Sequence, residues 1–226
     1  RMVRAPAVAA TLVSVDQDAL RARPGVVDVV RDGSFLGVLA KTGWQAARAQ
    51  EWALRNTQWD MSDSPAETVQ QIVGRAGGPV ETVRSCKEPR PPASQSIDLT
   101  ATRPFLSHGS IGPSAALACW EHGHLTVHTH SQGVFQLRGA MASVLKLDAG
   151  KITVTHAPGS GCYGHNGADD AAMDAAILAR HVPGRPVLVV WSRAQEFRHA
   201  PLGPAMATKA RAGVDDTGMI RTFDVT

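Results

Sequence analysis

The stretch HAPGSGCYGHNGADDAAMDAAILAR, residues 156–180, carries the residue types best suited to chemistry in this chain. Gly159, Gly161, Gly164 and Gly167 fall within nine positions, ahead of a helix-like run that opens with Asp169 and Asp170. Glycine reaches positive φ and lets a ligand touch main chain. A helix start adds unpaired N–H groups and the positive end of a dipole. Together they suit a phosphate, an oxyanion or a metal-oxo group. Gly159, Gly161 and Gly164 have the spacing of GxGxxG, but GxxxxGKS/T is absent and no lysine follows, so a P-loop is not indicated. A tight β-to-α connection, with glycines only for geometry, accounts for the same residues.

Two further stretches hold polar candidates. In CWEHGHLTVHTHSQGVFQLR, His122, His124, His128 and His130 are all even-numbered and would share one face of a continuous strand. Histidines two apart can chelate zinc or copper, but Gly123 interrupts the run and no carboxylate or cysteine completes a ligand set. Gln132 stands at a strand-to-helix junction, where a side-chain amide can donate one hydrogen bond and accept another. In RPFLSHGSIGPSAALACW, Gly109, Gly112 and Pro113 make a turn, and His108 is either a site residue or locally hydrogen-bonded.

These residues need a scaffold, and the hydrophobic pattern predicts an α/β (α+β) fold. HLTVHTH, KITVTHA and RPVLVVWS read as strands, with GVFQLRGAMASVLKL and ADDAAMDAAILARHVPG as the helices between them. This β-α-β-α-β order implies helices packed on a sheet. Residues 1–60 read as a small α/β unit. It has a strand in AVAATLVSV, a helix capped by Asp16, a hairpin at Asp32-Gly33 and a helix through WQAARAQEWALRNTQW. Trp44, Trp52 and Trp59 are expected to be packing anchors. Residues 61–102, with KEPRPPASQS, read as a linker or excursion, and 103–226 as the second folded unit.

Composition narrows the classes. The 226 residues are 43% hydrophobic and 19% charged, which suits a packed core. A net charge of +3 with scattered arginines and 5% aromatics gives no nucleic-acid surface. No apolar run approaches the ~20 residues that span a bilayer. Cys86, Cys119 and Cys162 are widely spaced, so neither a disulfide framework nor a cysteine zinc site is indicated. The immediate strand-like start and the closing GMIRTFDVT, read as a strand cut before its partner, suggest a fragment.

Taken together, these stretches resemble the molybdopterin-binding large subunit of the xanthine dehydrogenase and aldehyde oxidase family, over nearly the whole chain. VRAPAVAATLVSVDQDALRARPGVVDVVRDGSFLGVLA is similar to the hammerhead α/β domain, and RPFLSHGSIGPSAALACW to the opening of the first molybdopterin-binding domain. HTHSQGVFQLRGAMASVL resembles the strand, glutamine and helix beside the metal. GSGCYGHNGADD resembles the glycine loop, closest to the nicotinate dehydrogenase and isoquinoline 1-oxidoreductase branch.

The resemblance implies hydroxylation of an electron-poor heterocycle or aldehyde carbon with oxygen from water. It implies a molybdenum-molybdopterin cytosine dinucleotide cofactor. Gln132 matches the glutamine that hydrogen-bonds a molybdenum oxo group, and so is the candidate catalytic residue. Gly161, Cys162, Tyr163 and Gly164 match the loop bordering metal and pterin, its glycines clearing space for them. The [2Fe–2S] clusters would sit on an iron–sulfur small subunit, with a cytochrome or flavin as electron acceptor. Where purine-oxidising members have a glycine-lysine-glutamate run, this chain has His165, Asn166 and Gly167, which argues against xanthine. Competing readings are an aldehyde dehydrogenase of the same family and a non-catalytic anion- or zinc-binding module. Cytoplasmic and periplasmic placement both stay open.

The family's catalytic base lies in a C-terminal domain beyond these residues, and Glu196 is not expected to replace it. The isolated 226-residue chain should therefore show no turnover with added cofactor, as measured by product formation under single-turnover conditions.

Overall fold

The computed structural model describes residues 1–7, 9–62, 71, 91–164 and 171–225. The chain forms two compact units: Arg1–Pro65 with Ser107–Pro201, and Ala66–Leu106 with Leu202–Thr226. The division drawn from sequence at 60 and 103 follows chain order, and the packing does not. Met2 and Val30, with Phe35 and Leu39 against them, belong to the same apolar cluster as Ala116, Val127, Leu178 and Val189.

In the first unit, β1 (Thr11–Val15), α1 (Gln17–Arg21), β2 (Val26–Asp32), β3 (Phe35–Ala40), α2 (Gly43–Asn56) and β4 (Thr57–Asp60) come first. Asp16 caps α1 as expected, its side chain accepting from Ala19 N at 2.9 Å. β2 and β3 form the antiparallel hairpin around Gly33, which has φ +55°. The helix expected to run through Trp59 stops at Asn56, because Thr57–Asp60 pairs with β1 instead. Trp52 and Trp59 pack against the cluster of Leu20, Leu36 and Val38. Trp44 does not: it is 73% exposed, so it is no packing anchor.

The larger sheet of this unit has the order β8-β7-β6-β9, with β6 Ala115–Glu121, β7 His124–Thr129, β8 Ile152–His156 and β9 Val187–Val190. β6 pairs antiparallel with β7 and β9, whereas β7 and β8 run parallel from Leu125↔Ile152 to Thr129↔His156. Helix α3 (Val134–Leu145) links the parallel pair and α4 (Ala171–Ala179) leads toward β9. Five alanines of α4, at 171, 172, 175, 176 and 179, are buried at 1% exposure or less. Their small side chains let the helix seat closely against β6 and β9. The predicted α/β alternation is therefore observed, with β6 as a strand that the glycine-rich turn before it obscured.

The second unit holds a three-stranded antiparallel sheet, β11-β10-β5: β5 Gln95–Arg103, β10 Met206–Val214 and β11 Ile220–Val225. β5 occupies residues read as linker. The Pro-rich stretch before it masked an alternation of Ile97, Leu99 and Ala101 that pairs with Ala212, Ala210 and Thr208. The short helix expected in PAETVQQIVGRAG falls outside the described residues but for Gln71.

Asp215 closes the β10–β11 hairpin. Its carboxylate accepts from Thr217 Oγ1 at 2.6 Å, from the N–H groups of Thr217 and Met219, and from Arg221 Nε. These bonds, the Thr217 hydroxyl first, hold its pKa below the ordinary 3.8. A depressed carboxylate stabilises the fold above the unfolded pKa and loses that contribution as pH falls toward the folded value. The protection factors of the Thr217 and Met219 amides, referenced to intrinsic exchange at each pH, should fall when pH drops from 5 to 2, whereas Asp215→Asn should remove most of that pH dependence.

Candidate functional site

The parallel pairing of β7 and β8 brings their C-terminal ends side by side. Residues 130–133 leave one strand and residues 157–164 the other, so Gln132 and the glycine loop emerge at the same edge. Two bonds extend the ladder past the strands: Ala157 N to Thr129 O at 2.8 Å, and His156 Nδ1–H to Ser131 O at 3.0 Å. Ser131 Oγ accepts from Gly133 N at 3.2 Å, fixing the entry to α3. Gly133 caps that helix with no side-chain bond to its first turn.

The sequence candidates do converge. Cys162 Sγ donates to Gln132 Oε1 at 3.1 Å, and Gly164 N–H donates to Cys162 Sγ at 3.3 Å. Gln132 is exposed and Cys162 half-buried. Tyr163 is 59% exposed and has φ +54°, an unfavourable backbone for a bulky residue. His165, Asn166, Gly167, Asp169 and Asp170 lie outside the described residues, as does Cys86.

The loop glycines answer to the protein's own side chains. A Cβ on Gly159 would lie 2.7 Å from His130 Cβ, and one on Gly164 would lie 2.8 Å from His108 Nε2. A Cβ on Gly161 would lie 2.8 Å from the Tyr163 ring. Gly161 and Gly164 also have φ of +99° and +122°. They let the loop lie flat on its neighbours and turn through angles that other residues reach only with strain.

Sequence reasoning missed the supports on the facing side. Helix α5 (Arg193–His199) begins with a Ser192–Gln195 capping box. Its first turn grips residues 110–114. Arg193 donates to Ser110 O and Ile111 O at 2.6 and 2.5 Å. Glu196, 1% exposed, accepts from Ser114 N at 2.8 Å and Ser114 Oγ at 3.2 Å. Both carboxylate oxygens of Glu196 therefore serve structure. The gripped segment meets the loop where Ile111 N donates to Ser160 O at 3.2 Å. A cavity of about 300 Å³ lies here, lined by Gly112, Ala116, His128, Thr129, Pro158 and Gly159 among others. The R-x-x-E spacing at 193–196 was the available signal, but nothing local revealed its target.

His108 is held by its Nδ1–H on Pro201 O at 3.1 Å, while its ring also abuts Gly164. The four even-numbered histidines do not share one strand face. His122 and Gly123, φ +49° and +77°, form the two-residue turn of the β6–β7 hairpin. His130 is buried and accepts from Ala115 N at 3.2 Å. Among the described residues no group of three metal-ligating side chains occurs.

What the site offers is neutral donors. Gln132 Oε1 is engaged by Cys162, which leaves Nε2 as an exposed donor, beside a helix start without a side-chain cap. An oxygen-rich, negatively charged group such as a metal-oxo pterin fits these residues. The backbone demands are testable. Gly164→Ala should lower stability by about 1–3 kcal/mol, from the strained φ together with the His108 contact, as measured by denaturant unfolding.

Residues 93–226 match the family model of the molybdopterin cofactor-binding domain. The chain is 32% identical over 227 residues to a subunit of the nicotinate dehydrogenase of Pseudomonas putida, covering 95% of this chain and 18% of that protein. It is 28% identical over 170 residues to the aldehyde oxidoreductase molybdenum-binding subunit PaoC of Escherichia coli O157:H7, covering 75% and 22%. The fold superposes on quinoline 2-oxidoreductase from Pseudomonas putida 86 with a TM-score of 0.76 at 16% identity, covering all of this chain and 35% of that one. The chain thus spans about a fifth of the length of the relatives it matches in sequence. It belongs to the molybdopterin-binding family of the molybdenum hydroxylases, alongside the xanthine dehydrogenase and aldehyde oxidase large subunits.

Proposed function

We propose that this chain is part of a molybdenum hydroxylase large subunit that hydroxylates a ring carbon of an N-heteroaromatic, nicotinate- or isoquinoline-like, with water as oxygen source. The observation that carries the reading is the meeting of Gln132 with the 161–164 loop at the ends of two parallel strands. The likeness to a nicotinate dehydrogenase over 95% of the chain supports a heterocycle as the substrate class. When bound, a molybdenum-molybdopterin cytosine dinucleotide supplies the redox chemistry, and the protein supplies position, hydrogen bonds and dryness.

Gln132 would hold the metal's oxygen ligand through its Nε2 donor, and Gly161, Cys162, Tyr163 and Gly164 would border the group. By the family resemblance, the [2Fe–2S] clusters, which need cysteine thiolates, are assigned to an iron–sulfur small subunit that passes electrons to a cytochrome or flavin acceptor. The 28% identity to an aldehyde oxidoreductase subunit favours aldehydes as the second reading.

The test is elemental analysis of the intact subunit with mass spectrometry of the nucleotide it releases, followed by turnover on nicotinate, isoquinoline and aromatic aldehydes. About one molybdenum per subunit, a cytosine pterin nucleotide and heterocycle turnover are expected. Aldehyde turnover alone would shift the substrate class, and a folded subunit with neither metal nor pterin would overturn the reading. In the intact subunit, Gln132→Ala should lower kcat by roughly ten- to a hundred-fold. It should change stability by less than about 0.5 kcal/mol, since the residue is exposed. Undiminished turnover at full molybdenum loading would remove Gln132 from the site.

A further inference from the structure

A glutamine amide has an acceptor end and a donor end, and a half-turn exchanges them at little steric cost. A residue that must present a donor therefore needs something to choose the orientation. Around Gln132 the backbone is already committed. Ser131 O accepts from His156, Ser131 Oγ accepts from Gly133 N, and Ala157 N is bonded to Thr129 O. None of these bonds touches the amide. Cys162 does, 30 positions away in sequence, with Sγ 3.1 Å from Oε1.

The sulfur is itself oriented. Gly164 N–H donates into Sγ at 3.3 Å, which occupies the sulfur as acceptor and leaves its S–H for the Gln132 carbonyl. That geometry depends on the positive φ of Gly161, Tyr163 and Gly164, which folds the loop back on itself around the thiol. A cysteine present only as a small packing residue would be buried among apolar neighbours. Cys162 is half-buried, and its partners include an amide oxygen and a backbone N–H.

We infer that Cys162 is the positioning residue that turns the Gln132 amide so that Nε2 faces outward as a donor. The geometry of the pair stands on its own. Its consequence for turnover rests on the function proposed above. Replacing the thiol by a hydroxyl keeps a donor and an acceptor at this place, whereas alanine keeps neither and also deprives Gly164 N–H of its acceptor.

The experiment uses the intact subunit and two readouts. The first is the infrared S–H stretch of Cys162, identified as the band lost in Cys162→Ser. In Gln132→Ala that band should move to higher frequency as the S–H···O bond disappears. A band that does not move overturns the inference, whatever the metal content. The second is made on molybdenum-loaded enzyme. Cys162→Ala should alter the paramagnetic resonance of the reduced molybdenum in the same direction as Gln132→Ala. It should also lower kcat by roughly ten-fold with KM little changed. Cys162→Ser should recover most of that loss. An unaltered resonance in loaded Cys162→Ala, or no recovery by serine, would also overturn it. If Cys162→Ala fails to load, the infrared comparison decides alone. A subunit with no molybdenum or pterin but with the S–H shift would refute the proposed function and leave the Cys162–Gln132 bond standing.

Discussion

The parallel pairing of β7 and β8 is the constraint on which the candidate site depends. Antiparallel neighbours would send their following loops to opposite ends of the sheet. Parallel neighbours send both to one end, which is how α/β sheets come to build sites at the carboxyl ends of their strands. The five residue pairs from Leu125↔Ile152 to Thr129↔His156 set that geometry. The two bonds beyond them, from Ala157 and His156, carry the register into the loops themselves. Gln132 and Cys162 can meet only because this register is kept to the last residue.

Behind the sheet, α4 is a helix of alanines with one buried carboxylate. Asp174 is 2% exposed, and its Oδ2 receives Arg4 at 2.5 Å and the Trp191 indole N–H at 2.9 Å. The Arg4 guanidinium also lies 5.1 Å from the Trp191 ring centroid. A carboxylate removed from water is costly unless it is paired and hydrogen-bonded. Here the partners come from the N-terminal segment and from the residue that follows β9. The carboxylate thereby specifies where those two segments sit against the helix. Gly37 on β3 allows a similarly close approach, since a Cβ there would fall 2.6 Å from Leu178 Cδ2. Residues 1–60 are thus joined to the sheet by a specific polar contact and a tight apolar one.

The glycine loop is held from the other side by α5, through Arg193 on two carbonyls and Glu196 on Ser114. The two side chains act as fixed braces for the 110–114 segment, which in turn touches Ser160. Conformational entropy makes a glycine-rich loop expensive to order. This loop is ordered at its start by the sheet, in its middle by the braced segment, and at Gly164 by the Cys162 thiol and the His108 ring.

The sequence alone determined the order of elements from β7 to β9, the Asp16 cap, the Gly33 hairpin and the family. These are signals carried within a few residues: strand and helix periodicity, a capping side chain, a two-residue turn, a motif of fixed spacing. Gln132, Cys162 and Gly164 were legible as candidates for the same reason. What lay beyond local pattern had to wait for the fold. β5 was hidden by the proline-rich stretch before it, and Thr57–Asp60 kept a helical pattern yet became a strand because β1 was there to pair with it. Trp44 carried the composition of an anchor and ended in solvent, since the face of a helix that is buried is chosen by its neighbours. The close contacts of the loop glycines with His130, Tyr163 and His108 were likewise set by the fold. Which partner a side chain meets across 30 or 80 positions is set by strand register and helix seating. These are properties of the whole packed chain, and no short stretch of sequence contains them.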